Sequence, residues 1–127
     1  MYRRKAAAPS DPFLCALSDL GPLAKIEGAT KSAFSALKRG DNQETWTDKC
    51  EGLTIFRQLL STPYAMDSEF NLIVDALLAE VLNLRSQVAR VAMLALADFC
   101  TVLGKLMDPL MSKIITALFK KAAAEAG

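Results

Sequence analysis

Histidine is absent from all 127 residues, which removes Ser-His-Asp and Cys-His nucleophile schemes and histidine acid–base catalysis together. Cysteine is scarce and odd in number: Cys15, Cys50 and Cys100 lie far apart inside apolar patterns. That usage argues for reduced, buried thiols in an intracellular protein rather than a disulfide framework, and no metal-ligand spacing is present. Long apolar runs are missing too, since the longest apolar region, Phe70 to Leu84, is interrupted by Asp75 and Glu80 and is too short to span a bilayer. Neither charge sign dominates, with 15 Lys+Arg against 14 Asp+Glu, so any electrostatic effect must be local. Aromatics make up only 7 %, with Trp46 the single tryptophan.

What remains is a chain of 52 % hydrophobic residues, rich in alanine and leucine and poor in strand formers, of a length that suits one domain. No convincing period-two strand appears, so the chain reads as all-α. Residues 1–28 form a separate section. "MYRRKAAAPSDP" reads as a loose basic tail, with a transit-like role as the alternative. "SDPFLCALSDLGP" then reads as a short helix capped by Ser10, with Pro12 in its first turn and Gly21-Pro22 as its stop.

From residue 29 onward helical spacing is continuous. Ala29, Ala33, Phe34 and Leu37 predict a helix that ends near Arg39, with Gly40 as its C-terminal cap. After "GDNQET", Cys50, Leu53, Phe56, Leu59 and Leu60 trace a second apolar stripe, broken at Pro63. Asp67 or Ser68 caps a third helix with Phe70, Ile73, Val74, Leu77, Leu78 and Val81 on its buried face. Val88, Val91, Ala92, Ala95, Phe99 and Val102 predict a fourth that closes near Gly104. Asp108-Pro109 then opens a last helix through Ile114, Ile115, Leu118 and Phe119, followed by a solvated "KKAAAEAG". Cys50, Leu53 and Phe56 match Val88, Val91 and Leu94 at an offset of 38 residues, near the period of HEAT repeats, roughly 40 residues, though ordinary helical hairpins share that spacing.

Two helix starts carry charge of the wrong sign. In "NLRSQVARVA", Arg85 sits where the helix dipole is positive, an unfavourable position by a few tenths to about 1 kcal/mol. Asn83 or Ser86 can cap that helix. Arg85 either pairs with a nearby acid such as Glu80 or Asp48, or faces a negative partner. Lys49 repeats the oddity in the preceding helical pair. Trp46, in the polar loop before Lys49, is either a staple under the helix start or an exposed anchor. Arg90 is either a solvated side chain or part of the same basic set. Corresponding loops of consecutive repeats lie side by side, so these residues predict one basic, tryptophan-bearing ridge. The acids Asp41, Glu44, Asp48 and Glu51 fit capping and dipole roles rather than catalysis. Met66, Met93, Met107 and Met111 read as core or helix-end packing.

"WTDKCEGL" (Trp46 to Leu53), "NLRSQVARVA" and "LADFCTVLGKLMDP" (Leu96 to Pro109) together resemble the TOG domains of the CLASP and crescerin type, in particular those of TOG-array regulators of axonemal microtubules. The likeness runs from about Ala29 to Ala123. It departs from the family pattern at Thr45 and Leu82, where an acid and a lysine are frequent. It implies a truncated HEAT-repeat array of antiparallel helical hairpins over residues 29–127, non-enzymatic and without cofactor or metal, that binds tubulin or microtubules through its intra-repeat loops. The residues implied are Trp46, Lys49, Asn83, Arg85 and Arg90. The setting implied is the cytoplasm and cytoskeleton, in a cilium or axoneme, with no nucleic acid or membrane as partner. Only the family's first two to three repeats are matched. The last helix is therefore expected to pack on the N-terminal segment, a second copy or another axonemal protein. The alternative is a helical scaffold that grips another protein's helix or peptide in an apolar groove.

Overall fold

In the computed structural model, residues 11–62 and 69–126 are described. Five α-helices organise them: α1 (Ala29–Arg39), α2 (Trp46–Gln58), α3 (Phe70–Val81), α4 (Ser86–Leu103) and α5 (Met111–Ala126). No strand occurs among the described residues, so the chain is all-α as its periodicity predicts. The caps assigned to Ser10, Asp67 or Ser68, the break at Pro63 and the placing of Met66 lie outside the described residues.

α1 packs on α2 and α3 on α4, each pair joined by a short loop, and the two hairpins stack through α2 against α4. α5 begins a third layer against α3. Glycine sets the first hairpin's closeness. A Cβ on Gly52 would stand 2.7 Å from the Ala33 carbonyl oxygen, and one on Gly40 would stand 2.5 Å from Lys49 Cγ. Gly40 also caps α1, its N–H donating to the Ala36 carbonyl at 3.1 Å. Between the helices, Phe34 and Phe56 meet edge to face with centroids 5.1 Å apart, a preferred aromatic geometry.

The repeat is legible in burial, with a shifted register. Lys49, Cys50, Gly52, Leu53, Phe56, Arg57 and Leu60 are buried, and an offset of 39 residues carries each onto a buried position, Val88, Ala89, Val91, Ala92, Ala95, Leu96 and Phe99. The expected offset of 38 fails at its third match, because Phe56 is fully buried and Leu94 only half. Side-chain size misled there: Ala95, not the larger Leu94, takes the inward position.

Three helix boundaries differ from expectation. The N-terminal segment is two short 3-10 turns, Pro12–Leu14 and Leu17–Asp19, rather than one helix, and Asp11 caps the first by accepting from the Phe13 N–H at 2.8 Å. Gly104–Leu110 is a 3-10 stretch containing Pro109, so the last α-helix starts at Met111 instead of Pro109. Gly104 takes a positive φ of 51°, which lets α4 end and the chain reverse. The polar tail is largely exposed, as expected, but it continues α5 to Ala126 instead of following the helix's end.

The N-terminal segment docks on the stack. Phe13, Leu14, Leu17 and Leu23 pack on the core, and the Gln58 side-chain amide donates to the Gly21 carbonyl at 2.8 Å. Arg57 is the strongest tie. Fully buried, it donates from Nε to Asp98 on α4 and from Nη2 to the Cys15 carbonyl at 2.8 Å. No helix among the described residues is long and apolar enough to cross a membrane.

Candidate functional site

The loops at 40–45 and 82–85 come together at one edge of the two hairpins. They line a cleft of about 570 Å³ bounded by Asp41, Asn42, Gln43, Trp46, Leu84 and Arg85 among others. The side-by-side placing of repeat loops therefore holds.

Trp46 is the first residue of α2, half-buried, with part of its ring against the core. Its remaining face carries the Arg85 guanidinium, 4.7 Å from the ring centroid. The tryptophan is thus neither a pure staple nor a free anchor. Its ring leans on the core and supports a cation at once.

Arg85 occupies the N-cap position of α4. Asn83, not Ser86, organises this start: its side-chain oxygen accepts from the Arg85 N–H at 2.8 Å. The acids considered as partners for Arg85 are taken by other cations. Glu80 pairs with Lys49 and Asp48 with Arg39. Among the described residues no carboxylate lies within ion-pair distance of Arg85. Its charge is exposed to solvent and not neutralised, held by the Trp46 ring and a long contact of 3.5 Å from Nη2 to the Gln43 carbonyl.

Lys49 corrects the reading of two parallel surface cations. It is 7 % exposed, and its ammonium group donates to Asp41 Oδ1 and Glu80 Oε2, each at 2.7 Å. Burial pulls its pKa down, but the hydrogen bonds to Asp41 and Glu80 outweigh that and leave it above the usual lysine value. Lys49 is a strut between the hairpins. The strut continues, because Asn83 Nδ2 donates to Glu80 Oε1 at 2.9 Å. Asp41, Lys49, Glu80, Asn83 and the Arg85 backbone form one chain of hydrogen bonds that crosses from one loop to the other.

Arg90 stands apart. It is exposed and lines a second groove of about 690 Å³ with Leu14, Ala89, Met93, Leu94, Lys121 and Glu125. The structure therefore brings Trp46, Lys49, Asn83 and Arg85 together and leaves Arg90 on another face.

Leu84 was missed by sequence reasoning. It is fully exposed at the loop tip beside Arg85. The signal was available: Asn83 and the cation after it set a turn whose tip has no helical face to hide an apolar side chain. No group of three or more metal-ligating side chains occurs among the described residues. Cys50 is buried, and burial above all pushes its thiol up to about 11.

No protein-family model matches the chain, and no solved structure matches it. Curated proteins do. The chain is 32 % identical over 120 residues, 94 % of its length, to TOG array regulator of axonemal microtubules protein 1 of Homo sapiens. It is 31 % identical over 120 residues, again 94 % of its length, to the protein of that name in Mus musculus. To Crescerin-like protein che-12 of Caenorhabditis elegans it is 32 % identical over 98 residues, 76 % of its length. These relatives are much longer, and the chain spans 7 %, 6 % and 8 % of them respectively. By these matches and its all-α fold, the chain belongs with the TOG-array regulators and crescerin-like proteins, as a relative of one short stretch of them.

Proposed function

We propose that this chain is a non-enzymatic tubulin- or microtubule-binding module, and that the cleft between the 40–45 and 82–85 loops makes the contact. One observation carries the reading. Arg85 is a full positive charge without a carboxylate partner among the described residues, fixed over an aromatic ring at the mouth of a cleft. Tubulin surfaces are acidic, and a stacked guanidinium suits a carboxylate because its planar fork donates two parallel hydrogen bonds to the two carboxylate oxygens.

The roles divide accordingly. Arg85 and Trp46 make the contact, and Leu84 adds apolar area beside them. Lys49 and Asn83 are positioning residues that hold the two loops in register through Glu80. Arg90 belongs to the neighbouring groove and takes no part in the contact. The human and mouse relatives are by name regulators of axonemal microtubules, and the same setting is proposed for this chain.

Co-pelleting with microtubules tests the proposal. Wild-type chain is expected to pellet, Trp46→Ala with Arg85→Ala is expected to stay in the supernatant, and added salt is expected to weaken binding. Unchanged pelleting of the double variant would overturn the cleft as the contact. The second groove favours the alternative of a helix- or peptide-binding scaffold, because its floor is apolar through Leu14, Ala89, Met93 and Leu94. That reading predicts binding indifferent to salt and sensitive instead to changes at Met93 or Leu94 in that groove.

A further inference from the structure

Residues 11–24 lie across α2 and α4 without joining the helical framework. Their two 3-10 turns close on themselves, the Leu14 N–H donating to the Asp11 carbonyl at 3.1 Å, Asp19 to Ala16 at 2.9 Å and Leu20 to Leu17 at 3.1 Å. Among the described residues no backbone hydrogen bond runs from this segment to a helix. None of its residues is fully buried, and Phe13, Leu14, Leu17 and Leu23 only lean on the core. Its polar tethers come from α2: Arg57 Nη2 and Gln58 Nε2 donate to the carbonyls of Cys15 and Gly21, each at 2.8 Å.

The seam beneath is polar and incompletely paired. Arg57 is fully buried, yet its Nη1 has no hydrogen-bond partner, and neither has the buried Oδ2 of Asp11. Asp11 also stands close enough to Cys50 for its carboxylate to add, after burial, to the rise of that thiol's pKa. Unpaired polar groups cost free energy in a dry seam and regain hydration in water. Opening the seam therefore offsets part of the apolar contact it loses. A hinge is present as well. Residues 24–28 are all exposed and end at Gly28, whose φ of 77° and open surroundings let the chain swing there.

We propose that residues 11–24 are a hinged strap that lifts off α2 and α4 as one unit, about Gly28, while the five helices stay folded. Closed, the strap seals the seam between the hairpins and keeps the Arg57–Asp98 pair dry. Open, it leaves a solvated pair, which holds α2 to α4 much more weakly. The strap is thus a latch on the stacking of the two hairpins.

Chymotrypsin digestion of the full 127-residue chain without denaturant tests this, each cut being located by mass spectrometry. Cleavage after Phe13 and after Leu20 is expected while α1 to α5 stay intact, since proteolysis follows the population of the open form. Gln58→Ala removes one tether and is expected to speed both cuts about fivefold, the effect of one net hydrogen bond. Leu17→Ala, at a half-buried position, is expected to speed both by about tenfold. Ile73→Val weakens the core at α3 and lowers the urea midpoint, but is expected to leave both cuts unchanged. Cuts that quicken in Ile73→Val in step with its loss of global stability mean that the segment opens only with the whole fold, which overturns the strap. A rise in Gln58→Ala confined to the cut after Leu20 means fraying from Gly21, which overturns the single unit. Cuts unaffected by both Gln58→Ala and Leu17→Ala overturn release from these contacts.

Discussion

Arg85 and Trp46 are coupled in a way that fluorescence reads directly. Trp46 is the only tryptophan, and its face is covered by the Arg85 guanidinium at 4.7 Å. Arg85→Ala is expected to shift its emission and to destabilise the fold by no more than about 1 kcal/mol, since an exposed cation–π contact contributes only that much. A loss several times larger would mean that Arg85 is a structural residue instead of a binding one. Glu80 behaves in the opposite way. Glu80→Ala leaves the buried Lys49 ammonium with only the exposed Asp41 carboxylate, so a loss of about 2–3 kcal/mol is expected in denaturant unfolding. Sequence marked Arg85 and Trp46, which the structure brings together, and read Lys49 as a surface cation where it is buried. The reason is physical: a lysine in a first helical turn looks the same whether its acids are in solvent, on a partner, or 31 residues along the chain as Glu80 is.

Among the elements, α2 is the one on which most others depend. It touches α1 through Gly52, α4 through Arg57 and the N-terminal turns through Arg57 and Gln58. Alanine is the better helix former by about 1 kcal/mol, yet Gly52→Ala is expected to lower stability by about 1–3 kcal/mol, because its Cβ would meet the Ala33 carbonyl at 2.7 Å. A melting temperature above that of the wild type would contradict this close approach. Arg57→Ala strands Asp98 and the Cys15 carbonyl and is expected to cost about 3–5 kcal/mol, while Arg57→Met with Asp98→Leu recovers most of it. Thermal unfolding of the three chains makes the comparison. The helices from α1 to α4 were legible because their apolar residues recur at three and four, with glycine at the stops of α1 and α4. The N-terminal turns were not. Their residues Phe13, Leu14 and Leu17 mimic helical spacing, but they are placed by contacts with α2 and α4 that lie far along the chain.

At the scale of the whole molecule, the charge balance near zero hides two alkaline liabilities. The Cys50 thiol is pushed from its ordinary 9.0 to about 11, mainly by burial. Between those values the unfolded chain has released the proton and the folded chain has kept it. Stability therefore falls as pH rises from about 9 to about 11, by at most about 2–3 kcal/mol. Lys49 adds to this higher up: its pKa is raised above 10.5, so its ion pairs contribute fully below that value and are lost as pH rises through the raised one. Melting temperature is expected to decline above pH 9, with a shallower decline in Cys50→Ala; equal slopes would remove Cys50 as the cause. The repeat itself was legible in outline, but not its register, since burial rather than residue size decides which position faces inward. The line from Asp41 through Lys49, Glu80 and Asn83 to Arg85 has one more consequence. In the proposed contact it makes the cleft a ruler, fixing the interval between the two loops before any ligand arrives, so that a surface whose own features are spaced differently would be refused on length even where its charge is right.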